Sequence, residues 1–128
     1  MLIEFLPNYQ QLILSAIDID VPIGQQVGTG LWEVKGPYTL SPADAMRALG
    51  NPLVDITATK QGSNPPIIES TNNTNPTGGR YLGRVVLSKT GAPAEVWTIK
   101  ADLSIMVNGG MGPIKTLIAS KTVTHTVP

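Results

Sequence analysis

Asp18 and Asp20, two residues apart in the stretch IDID, are the first residues in this chain whose type and spacing suggest chemistry. On an extended strand their carboxylates leave one face about 6–7 Å apart, close enough to share a cation. A hard cation takes six or more oxygens from converging loops, which one strand does not supply. The two acids are therefore expected on the solvent face of an amphipathic strand, and no metal ligand is assigned. The single histidine, His125, stands three residues from the end of the sequence in TVTHTVP. Nucleophilic catalysis needs a base beside a hydroxyl or thiol, and an acid to orient that base. No such motif accompanies His125, which is expected to be a solvated strand-end residue. The glycine clusters GQQVGTG, GGRYLGR and NGGMG lack the Gly-Lys-Ser/Thr and the strand-to-helix setting of a phosphate loop. They predict turns, with Gly83 marking a bulge inside a strand. No catalytic or cofactor-binding residue is assigned, no cofactor is implied, and the chain is not expected to be an enzyme.

Basic side chains in the second half carry the remaining binding chemistry. Arg84, Lys100, Lys115 and Lys121 would contact a phosphate backbone if the sheet register brings them to one face. Against this, nine Lys and Arg with six aromatic residues are few for a dedicated nucleic-acid binder, and no RNP-type aromatic motif occurs. The charge is unevenly spread. Residues 1–79 hold three bases and seven acids, a net −4, and residues 80–128 hold six bases and two acids, a net +4. Such a split suits an acidic face docking on the basic face of another copy, or a basic face meeting nucleic acid; chance is the alternative.

At 128 residues, with 41% apolar residues, the chain is expected to be a single globular domain spanning 1–128. Only 14% of residues are charged, against about 25% in ordinary soluble domains. A surface so poor in charge points to a subunit covered by partners. There is no cysteine, which removes disulfides and thiolate chemistry. The opening MLIEFLPNYQQLILSAI lacks the basic start of a signal peptide and is broken by Glu4, Pro7 and Asn8. No apolar run nears the roughly 18 residues of a membrane span, so no membrane partner is expected.

These residues must be positioned mainly by strands. In EVWTIKADLSIMV the apolar positions are Trp97, Ile99, Ala101, Leu103, Ile105 and Val107, a period of two over a dozen residues. Turn chemistry flanks this strand, with YLGRVVLSK before it and PIKTLIASKTVTHTV after it. The pattern predicts a three-stranded antiparallel meander closing the chain. Earlier, LILSAIDIDV places Ile13, Ser15, Ile17, Ile19 and Val21 on one side, and PLVDITATK does so with Val54, Ile56 and Ala58. The first dozen residues fit a strand, an irregular arm or a helical turn equally. One short helix is predicted over about 42–49: Ser41 as N-cap, Pro42 at the first position, Asp44 in the first turn and Gly50 as left-handed cap. Met46 and Leu49 would form its buried stripe. The fold class is thus mainly β: an antiparallel sheet, sandwich or barrel.

The segment 59–80, TKQGSNPPIIESTNNTNPTGGR, is expected to be a long polar loop. Ordinary connections span about 4–6 residues. Pro65-Pro66 stiffens the approach to Ile67 and Ile68, which suits an arm laying those two residues on another subunit; a surface loop or a short edge strand is the alternative. Low charge, Thr-rich β content, the long excursion and the opposed halves converge on a self-assembling structural protein. The expected class is a virion component (coat, decoration or minor capsid protein) in virus or phage particles. Its partners would be other copies, other virion proteins and nucleic acid; its location would be the virion, with the cytoplasm as alternative. A small β-barrel module that binds single-stranded nucleic acid or a partner protein is the second expectation.

Overall fold

The computed structural model describes residues 14–24, 28, 30–62, 67–88, 91 and 93–128, with the backbone alone described for 67–72. Strands β1 (Ala16–Ile17), β2 (Leu31–Thr39) and β5 (Arg80–Val86) form a three-stranded antiparallel sheet in the order β1-β2-β5. Strands β3 (Leu53–Lys60), β4 (Ile67–Thr74), β6 (Glu95–Asn108) and β7 (Pro113–Val127) form a four-stranded antiparallel sheet in the order β4-β3-β6-β7. The helix α1 (Pro42–Arg47) lies between β2 of one sheet and β3 of the other.

Alternation builds the core between the sheets. Trp97, Ile99, Ala101, Leu103 and Ile105 of β6, with Val54, Ile56 and Ala58 of β3, are all 0% exposed. Val34, Tyr81, Val85 and Leu87 meet most of them from the other sheet, joined by Ile17, Ile19 and Ile23. Each large aliphatic side chain buried in this way contributes about 1.5–3 kcal/mol. Beyond β1 the chain stays alongside β2: the N–H groups of Asp18, Asp20 and Gly24 donate to the carbonyls of Pro37, Lys35 and Glu33 at 3.0, 2.8 and 3.1 Å.

Gly36 fixes how closely that segment approaches. A Cβ at Gly36 would lie 2.2 Å from the Asp18 carbonyl oxygen, a distance no side chain tolerates. The same carbonyl accepts a 2.7 Å hydrogen bond from the hydroxyl of Tyr81, the register partner of Gly36. Burial, then the nearby charges of Asp20 and Asp18, raise the Tyr81 pKa above its ordinary value, so its proton stays on the hydroxyl as a donor.

Several expectations are corrected. The closing meander is only a hairpin: β6 pairs with β7, but β5 pairs with β2 in the other sheet. Alternation shows that Tyr81, Gly83 and Val85 face inward and does not say which sheet they belong to. The segment 59–80 is not one long loop, because residues 67–74 form β4 antiparallel to β3. An edge strand is held by its ladder from one side and does not need an alternating apolar sequence. Asn75 Nδ2 pins the exit of β4 by donating to the carbonyls of Asn51 and Pro52 at 3.1 and 2.7 Å. Gly83 makes no bulge, lying opposite Val34 in regular register; the irregularities fall at Ala58/Thr59 and Leu103/Ser104.

The helix keeps its predicted start and loses its predicted end. Ser41 Oγ accepts from the Asp44 N–H at 3.1 Å, and Pro42 opens the first turn. Ala48 is already extended (φ −68, ψ 132), so α1 stops at Arg47 and no residue of it is buried. Met46 is 88% and Leu49 48% exposed, so the expected apolar stripe does not face the core. Polar contacts hold the helix instead. Ser41 N–H donates to Ser15 Oγ at 2.8 Å, and the Ser15 hydroxyl donates to the Asp44 carboxylate. That last bond holds the Asp44 pKa below the ordinary carboxylate value. The expectations for the first dozen residues lie outside the described residues.

Candidate functional site

Each of the four cations expected to meet nucleic acid is placed beside a carboxylate. Arg84 reaches Glu33 at 3.3 Å, Lys100 lies 3.6 Å from Asp102, Lys115 pairs with Asp55, and Lys121 lies 3.7 Å from Asp18. The fold does not gather them on one face. Lys100 and Lys115 stand on the outer side of the four-stranded sheet with Asp55 and Asp102, and Arg84 stands on the outer side of the other sheet. Lys121 falls on the inward phase of β7, opposite Ala101, and reaches toward the β1 segment. With Asp20–Arg80, four pairs join an acid of residues 1–79 to a base of residues 80–128. The opposed charge of the two halves is therefore largely used inside the fold. Exposed pairs of this kind contribute about 0–1 kcal/mol each, so they orient the sheets more than they stabilise them.

Asp18 and Asp20 turn to different partners. Asp18 accepts from the Ile19 N–H at 2.8 Å and faces Lys121, while Asp20 is bonded to Arg80. Among the described residues no group of three His, Asp or Glu side chains is placed to hold a metal ion. Ile67 and Ile68, expected to touch another subunit, open β4 with Lys60 and Thr59 as Cα partners. Their side chains lie outside the described residues.

One cluster was not anticipated. Lys60, Trp97 and His125 are successive register partners across β3, β6 and β7, all on the inward phase. Glu95, two residues before Trp97, meets Lys60 at 2.8 Å with the two side chains only 9% and 20% exposed. Trp32 of β2 closes the row from the opposite sheet, its ring centroid 4.6 Å from that of His125 at an interplanar angle of 66°. The indole Nε1 atoms of Trp32 and Trp97 and Nε2 of His125 are buried and make no hydrogen bond within the protein. Burial lowers the pKa of His125, so the ring is kept neutral. His125 is thus packed between the sheets rather than solvated at a strand end. The sequence held a signal for this: in TVTHTV the histidine is in phase with Val123 and Val127, and the threonines take the other face. The cluster offers two N–H donors and a neutral imidazole. It contains no hydroxyl or thiol nucleophile.

The opposite end of the sandwich presents apolar side chains to solvent. Met46 lies in α1, and Leu49 donates its N–H to the Met106 carbonyl at 2.7 Å beside the end of β6. Met111 in the β6–β7 turn is fully exposed, and Ile114 and Leu117 at the start of β7 are 52% and 59% exposed. Among the described residues no helix is long and apolar enough to cross a membrane. The chain matches no protein-family model, and neither the curated proteins nor the solved structures contain a significant match to it.

Proposed function

We propose that this chain is a self-assembling structural subunit, of the class that forms coat, decoration or minor capsid proteins of virus or phage particles. The observation that carries the reading is the exposure of Met46, Leu49, Met111, Ile114 and Leu117 at one end of a domain with only 14% charged residues. Large apolar side chains concentrated in this way are covered by a partner or cause non-specific association. The assignment to virions rests on composition: low charge, Thr-rich strands and no cysteine. Because the acids and bases largely pair within the chain, copies would meet through apolar surface and strand edges, with charged faces contributing little. Size-exclusion chromatography with light scattering, followed by negative-stain microscopy, tests this. Discrete assemblies well above 13.5 kDa are expected. A stable monomer at high concentration overturns the reading.

A second reading is a small β-barrel module that binds single-stranded nucleic acid or a partner protein, and the half-buried Trp32–His125 ring pair favours it. The ion pairing of Arg84, Lys100, Lys115 and Lys121 weighs against nucleic acid. Co-purified nucleic acid that is lost on Lys100→Glu with Arg84→Glu would support it.

A further inference from the structure

Among the described residues, each sheet ends in strands whose outer backbone groups have no ladder partner, and such edges invite pairing unless they are blunted. Three of the four edges are blunted or very short. Strand β1 has two residues. Strand β5 carries Arg80, Gly83 and Arg84, and β4 has a register shift against β3. Strand β7 runs for 15 residues, and among the described residues its backbone hydrogen bonds go to β6 alone.

This long edge has two unlike parts. From Pro113 to Lys121 it holds a proline, Lys115, the extra residue Ile118 at the register shift, and the inward Lys121. Each of these discourages a neighbouring strand. From Thr122 to Val127 the sequence is TVTHTV, with no proline, no glycine and no Asp, Glu, Lys or Arg. His125 points inward against Trp32, and Thr122, Thr124 and Thr126 are exposed on the outer face.

We infer that Thr122–Val127 is a two-fold seam, pairing antiparallel with the same segment of a second copy; the inference rests on the self-assembly proposed above and gives it a contact. An open edge selects an extended backbone, and a second copy brings an uncharged strand of equal length that satisfies both edges at once. Side-chain chemistry sets the register. Centred on Ile118, the pairing would place Lys115 opposite Lys121, a like-charge contact. Centred on Thr124, Thr122 faces Thr126 of the second copy and Lys121 faces its Val127. Cross-strand threonine pairs are favourable, and the lysines stay apart.

The variant Thr124→Lys with Thr126→Lys tests the seam, because both side chains are exposed: the lysine at position 124 would meet its own copy across the two-fold axis, and the one at position 126 would lie opposite Thr122 and diagonal to it. At a concentration where the wild type is associated, the variant is expected to keep its circular dichroism and lose at least one step of association by light scattering. A wild type that is monomeric throughout overturns both the seam and the self-assembly. A wild type that associates, with a folded variant that associates equally, overturns the seam alone. Hydrogen exchange of the wild type covers the case of a variant that does not fold. Alternate amides of Thr122–Val127 should be protected in the assembly and exchange fast on dilution to monomer. Fast exchange in the assembly itself excludes the seam.

Discussion

Strands β6 and β7 are paired neighbours of almost equal length, yet they meet quite different surroundings. Along β6 the inward residues from Trp97 to Ile105 are 0% exposed, because the strand has a neighbour on each side and a sheet above it. Along β7 most residues are exposed or half-buried, and among the inward positions only Val127 is fully buried. β7 is the richer of the two in β-branched residues, so strand propensity does not explain its exposure. Position in the sheet separates them: a central strand turns alternation into burial, whereas an edge strand keeps an unpaired backbone and spare apolar side chains such as Ile114 and Leu117.

The largest expected effect tests that contrast directly. Leu103→Asp buries an unpaired carboxylate at the centre of β6, costing several kcal/mol against a total stability of about 5–15 kcal/mol. It is expected to abolish the folded circular dichroism spectrum. Leu117→Asp on β7 is expected to leave the fold intact and change stability by less than about 1 kcal/mol, since its side chain already faces solvent. Equal damage at both sites would remove the distinction between the strands.

Ser104→Asp is expected to fall between them. Alternation assigns Ser104 to the outer, tolerant face, but it is 3% exposed and lies opposite Leu117 at the register shift. A carboxylate there should cost about 1–3 kcal/mol, read as a lowered urea midpoint. A wild-type midpoint would mean that this part of the outer face opens easily.

The pH dependence of stability follows from His125. Its pKa is lowered by burial, with Trp32, Trp97 and the Lys60–Glu95 pair as its inward neighbours. The unfolded chain therefore takes up the proton first as pH falls, below about 6.5. Stability is fully present above that value and declines on acidification until the folded ring also protonates. The urea midpoint of the wild type should fall between about pH 7.5 and about pH 5.5, and His125→Gln should flatten the fall. An equal fall in both proteins would assign the acid sensitivity to other groups.

What the sequence made legible follows the same contrast. The alternation of β6 and β3 and the Ser41–Pro42–Asp44 start of the helix are written in local residue types, and they stand as expected. The sheet membership of β5, the ladder of β4 and the burial of Ser104 depend on which strands become neighbours. Local period does not encode that choice. The charge split shows the limit most clearly. Net charges of opposite sign in the two halves look like docking faces until Asp18, Asp20, Glu33 and Asp55 are seen facing Lys121, Arg80, Arg84 and Lys115. The candidate contact residues Ile67 and Ile68 are legible only as the start of β4.

The smallest expected change in stability concerns Lys121, where the blunted part of the β7 edge meets the open part. Its ammonium lies 3.7 Å from Asp18, with the two side chains 45% and 61% exposed, so water and salt screen the pair. Lys121→Thr should therefore shift the thermal midpoint little, corresponding to about 0–1 kcal/mol. Its effect on association should be larger and opposite to that of the double lysine variant. Removing an inward-pointing charge from an edge extends the uncharged run to Thr116–Val127, and light scattering should show association at lower concentration. Unchanged association would mean that Lys121 serves only to hold β7 against the β1 segment. In that case Lys121→Thr with Asp18→Asn should equal either single variant in stability, and the limit of the open edge would be set by the irregularity at Ile118 alone.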